Sequence, residues 1–68
     1  MKTENISIER TKSYGHYRVT GIVNGTEVSC ITTDSEAFDY INDDDYPEKQ
    51  AAAQGHCEMI LELTYKNI

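Results

Sequence analysis

YRVTGIVNGTEVSCIT, residues 17–32, carries Asn24-Gly25 between two runs of alternating apolar and polar residues. An Asn-Gly pair supplies the two left-handed residues of a type I′ turn, the tightest link between antiparallel strands. A two-residue loop fixes the register. Val23 must face Thr26, Gly21 Val28, Val19 Cys30 and Tyr17 Thr32, all on one side of the ribbon. The other side then reads His16, Arg18, Thr20, Ile22, Glu27, Ser29, Ile31 and Thr33, which is mostly polar. A slip of one residue would mix the two sets, so the hydrophobic pattern and the turn specify the same hairpin.

Upstream, NISIERT (residues 5–11) alternates in the same way. With Lys12–Gly15 as a four-residue loop, Ile8 lands opposite Val19 on the apolar side. Glu9 then lands opposite Arg18 on the polar side, a favourable cross-strand pair of about 0.2–1 kcal/mol. The expectation is a three-stranded antiparallel meander.

Downstream, TDSEAFDYIND (residues 33–43) has a capping residue in Asp34 or Ser35, acids in its first turn, and an apolar edge of Ala37, Phe38 and Ile41. That is a short helix, one that packing must stabilise. The longest element starts at about Pro47, a residue suited to the first helical position, and runs to about Asn67. Ala53, Cys57, Ile60, Leu61, Thr64 and Ile68 repeat at helical spacing and form the face expected against the sheet. Ala52, Met59 and Leu63, with His56 at the edge, form a second stripe that the short helix is expected to cover. Gly55 projects to solvent.

The chain therefore reads as α+β: a three-stranded meander, a short helix, and a long C-terminal helix packed on one sheet face, in a single small domain of residues 1–68. The expected core is Ile6, Ile8, Tyr17, Val19, Val23, Val28, Cys30, Phe38, Ile41, Ala53, Cys57, Ile60, Leu61 and Thr64.

Composition narrows function. No apolar run approaches the roughly 18 residues needed to span a bilayer, and MKTENISIER lacks the apolar centre of a signal peptide, so a cytoplasmic address and no membrane partner are expected. Cys30 and Cys57 form no CxxC pair and read as small buried hydrophobes in a reducing compartment. No catalytic signature is present. His56 and Cys57 are helix neighbours about 100° apart, which prevents them from forming a nucleophile–base pair with each other. A non-enzymatic role without cofactor is expected.

Asp43-Asp44-Asp45 invites a metal reading that its spacing denies. A calcium loop alternates its carboxylates around a central Gly, whereas these are consecutive. Two His and two Cys at unrelated spacings do not make a zinc site either.

Charge divides the chain. Residues 1–30 hold Lys2, Arg10, Lys12 and Arg18 against three acids, while residues 31–68 hold Lys49 and Lys66 against nine, for a net −6 overall. Asp34, Glu36, Asp39, Asp43, Asp44, Asp45 and Glu48 form a candidate acidic face for a basic protein partner, as in an inhibitor or regulator. The alternative is nucleic acid on the exposed sheet face through Arg10, Lys12, His16, Arg18, Thr20 and Ser29. The overall negative charge and Glu9 and Glu27 on that face weigh against it. A homodimer through Met59 and Leu63, or through the sheet face, is a further expectation.

Overall fold

A computed structural model describes residues 1–68, and its order is β1 (Thr3–Arg10), β2 (Tyr17–Val23), β3 (Thr26–Thr32), α1 (Ser35–Tyr40) and α2 (Pro47–Lys66). The strands form one antiparallel sheet in the order β1-β2-β3. Principal extents of 32 × 27 × 14 Å leave room for two layers, one sheet and one of helices.

The hairpin forms as its turn dictates. Asn24 and Gly25 sit at φ 50° and 82°, and the pairs Val23–Thr26, Gly21–Val28, Val19–Cys30 and Tyr17–Thr32 all appear. Asn24 also ties down the chain start: its amide donates to the Lys2 carbonyl, and its side-chain oxygen accepts from the Lys2 amide.

The β1–β2 pairing places Ile8 opposite Val19 and Glu9 opposite Arg18. A hydrogen bond from the Thr11 amide to the His16 carbonyl continues the ladder, leaving Lys12–Gly15 as the loop, with Gly15 at φ 78°. The regular alternation fails earlier in β1. Between Glu4 and Ser7 the register shifts by one residue, and Asn5 takes up the extra length at φ 57°. This is a β-bulge, and it turns Thr3 rather than Glu4 to face Val23.

Asp34 caps α1 by accepting from the Ala37 amide at 3.1 Å. Pro47 starts α2, whose cap residue Tyr46 makes no side-chain capping bond. α2 lies across the sheet and is anchored at its centre, where Leu61 packs on Gly21. A Cβ on Gly21 would stand 2.7 Å from Leu61 Cδ1, so the missing side chain is what lets the helix seat. The buried core is Val19, Val23, Val28, Ala37, Ile41, Ala53, Cys57 and Leu61, with Ile6, Ile8, Cys30, Ile60 and Tyr65 packed around it. Tyr17, Phe38 and Thr64, expected inside, are half-buried. Phe38 stacks on Tyr17 with ring centroids 4.6 Å apart and covers the end of the sheet rather than its centre.

The expectation that α1 covers the second stripe of α2 does not hold. α1 is only six residues long and packs over the first half of α2, near Lys49, Ala52 and Ala53. Met59 and Leu63 lie further along α2, and they stay 54% and 52% exposed.

Candidate functional site

The acidic residues belong to α1, to the turn after it, and to the start of α2, and contacts among these elements gather them at one end of the molecule. Gln50 on α2 donates to the Ile41 carbonyl at 3.2 Å and to Asp44 Oδ1 at 3.3 Å, holding the turn against the helix. Tyr40 and Tyr46 meet edge to face at 5.4 Å, and Lys49 lies 4.8 Å over the Tyr40 ring. The Asp45 amide donates to Asp43 Oδ1 at 3.0 Å, an Asx turn that lets the chain reverse into Pro47.

These contacts divide the seven carboxylates into two kinds. Asp34, Asp43 and Asp44 make hydrogen bonds within the chain, as a helix cap, a turn former and the Gln50 acceptor, Asp44 from an exposed position. Glu36 pairs loosely with Lys49 at 4.0 Å on the surface, an ion pair worth little in water. Asp39, Asp45 and Glu48 are exposed, their side chains turned to solvent. Tyr46, half-exposed, lies beside Asp45 and Glu48. Glu48 lies in the first turn of α2, where the helix dipole favours a negative charge.

Sequence reasoning missed a junction beside this end. Thr32 is buried at the end of β3, and its Oγ1 accepts from the Asp34 amide at 3.1 Å and shares a 2.9 Å hydrogen bond with His56 Nε2. Asp34 Oδ2 lies 3.9 Å from the same His56 nitrogen. Strand, short helix and long helix are thus pinned at one point. No local signal could reveal it, because Thr32 and His56 are 24 residues apart in sequence.

Next to this junction lie the two thiols, both free. Burial pushes the Cys57 thiol up to about 11, with the neighbouring Cys30 and Asp34 adding to the rise. Burial also raises Cys30, against a smaller lowering by the Thr64 hydroxyl. Thiols held protonated are poor nucleophiles and poor metal ligands at neutral pH. No group of three or more His, Cys, Asp or Glu side chains is arranged to hold a metal ion.

The alternative set divides between the two sides of the sheet. An open groove of about 490 Å³ at the end of the polar face is lined by Arg10, Thr11, Lys12, Ser13, His16, Arg18 and Ile31. However, the Arg10 guanidinium lies 4.9 Å over the Phe38 ring, on the helix side, because Arg10 pairs with Tyr17 and shares its face. Thr20 and Ser29 face each other further along the polar face, outside the groove lining. His16 Nδ1 donates to the Tyr14 carbonyl at 3.2 Å. Arg18 has Glu9 directly across from it.

No helix of the chain is long and apolar enough to cross a membrane. Compared with protein-family models, with curated proteins and with solved structures, the chain matches none.

Proposed function

We propose that this chain is a non-enzymatic protein-interaction module whose acidic end docks on a basic surface of a protein partner, in the manner of an inhibitor or regulator. One observation carries the reading: α1, the Asp43 turn and the start of α2 pack together, with Asp45 and Glu48 on either side of the half-exposed Tyr46 and Asp39 exposed on α1, whose Tyr40 meets the Tyr46 ring. An exposed tyrosine flanked by carboxylates has the make-up of an interface anchor. Its ring offers rigid area, and the charges select lysine- and arginine-rich partners and speed their approach. The solution address proposed for such a module is the cytoplasm.

The test compares partner capture by the wild type and by Asp39→Asn/Asp45→Asn/Glu48→Gln, all exposed and outside the capping contacts. The same basic protein should be recovered by the wild type and lost by the variant, and added salt should weaken the wild-type complex. Equal recovery by both would overturn the proposal.

The groove around Arg18 favours a second reading, a phosphate-bearing nucleic acid on the sheet end. It predicts a salt-sensitive gel shift that Arg18→Ala and Lys12→Ala each weaken across all sequences. Glu9 opposite Arg18 and the net charge of −6 make it the lesser reading.

A further inference from the structure

We propose that two copies of this chain associate through the outer edge of β3, giving one continuous six-stranded antiparallel sheet with both α2 helices side by side on the same face. The surface used is distinct from the acidic end, so this inference stands apart from the function proposed above.

The first observation is the edge itself. In the β2–β3 hairpin, Thr26, Val28, Cys30 and Thr32 sit in the hydrogen-bonded pairs set by the two-residue turn. The amides and carbonyls of Glu27, Ser29 and Ile31 therefore point outward, without a partner strand. β3 contains no bulge and no proline, and Glu27 is its one charge. The opposite edge is defended. β1 is bulged at Asn5 and carries Glu4, Glu9 and Arg10, devices that discourage edge pairing.

The second observation comes from the helix. His56 reaches Thr32 on β3, whereas Glu62 accepts from the Thr3 hydroxyl on β1 at 2.8 Å. These contacts orient the two flanks of α2. At 100° per residue, Glu58 falls on the β1 flank with Glu62 and Leu63 falls on the β3 flank with His56, while Met59 lies midway between His56 and Glu62 on the outward ridge and Ala52 lies against α1. The half-exposed Leu63 thus lies on the side of the helix toward the unpaired edge of the sheet, whereas the acids Glu58 and Glu62 lie toward β1. Ile31, on that same strand, is 51% exposed.

A second copy satisfies both features with one two-fold axis. Antiparallel pairing centred on Ser29 sets Ser29 against its own copy and Glu27 against Ile31 of the second copy. No like charges meet, and Glu27 joins the row that already holds Arg18 opposite Ile31. With strands about 4.8 Å apart, each β2 lies about 14 Å from its copy. α2 sits over β2 through Leu61 and Gly21, and a helix with side chains is about 10–12 Å across. The remaining gap is one that Leu63 from both helices reaches into. Antiparallel pairing also carries the two acidic ends to opposite extremes of the assembly, which keeps their repulsion low.

Sedimentation equilibrium of the wild type should report twice the 7.7 kDa chain mass at high micromolar concentration. The amides of Ser29 and Ile31 should exchange slowly there and faster on dilution. Leu63→Glu should return the mass to that of one chain, with helix content by circular dichroism unchanged. A wild type that stays at one chain mass up to millimolar concentration would overturn the proposal. So would a dimer whose Ser29 and Ile31 amides exchange freely, since it must use another surface. If that variant fails to fold, the wild-type mass and amide exchange decide the matter alone.

Discussion

Gly21 shows how one missing side chain positions the long helix. It lies in the middle of β2 with Leu61 directly above it, and the nearest backbone atom to a built Cβ is the Glu4 carbonyl at 3.4 Å. Leu61 is completely buried, so it has little room to move aside. Gly21→Ala should therefore destabilise the fold by about 1–3 kcal/mol through overpacking, despite alanine being the better strand residue. Urea unfolding would read this as a lower midpoint at unchanged slope. Unchanged or raised stability would mean that α2 does not rest on the sheet where Leu61 indicates. Thr32 has a comparable role with polar atoms. Its hydroxyl serves both the Asp34 amide and His56, so a buried group that would cost about 1–3 kcal/mol if left unpaired becomes a three-element junction.

The two helices respond to opposite kinds of change. α1 has six residues and depends on its cap, so Asp34→Ala should cost about 1 kcal/mol from the lost bond to the Ala37 amide. α2 has a glycine at its exposed position 55 with open space around it, so Gly55→Ala should stabilise by about 0.5–1 kcal/mol. Thermal melts of the two variants should move in opposite directions from the wild type, and a shift of the opposite sign in either one would refute the assignment it tests. These elements were legible in the sequence because their signals are local: Asn24-Gly25 for the hairpin, Asp34 and Pro47 for the helix starts, helical spacing for the face that bears Cys57 and Leu61. The β1 bulge was not, since Ile6 and Ile8 alternate correctly and nothing nearby declares that Asn5 turns left-handed. Nor was the exposure of Met59 and Leu63, which depends on how far α1 reaches along α2. The acidic residues were legible as a set through their proximity in the chain. Which of them the fold itself consumes depends on Gln50 reaching across to Asp44, and composition is blind to that.

The layered plan gives each surface a different character. The sheet's outer face is polar, the β1 flank and the helix-start end are acidic, and the β3 flank of α2 carries the exposed Leu63. Inside, the two thiols lie where the layers meet, and they make stability depend on alkaline pH in a calculable direction. Cys57 in the unfolded chain releases its proton at the ordinary 9.0, whereas in the folded protein it holds it to about 11. Above pH 9 the unfolded state thus binds fewer protons than the folded one, and stability must fall as pH rises. The contribution is intact below pH 9, is lost progressively between 9 and about 11, and Cys30 acts in the same sense because its thiol is raised too. The comparison that isolates the thiol is with Cys57→Ala. That variant should be less stable at neutral pH because it leaves space in the core, yet its stability should decline less steeply from pH 9 to 11. Chemical denaturation at several pH values measures both slopes. Parallel curves would show that Cys57 is not the group the fold keeps protonated, and would move the alkaline sensitivity to the surface.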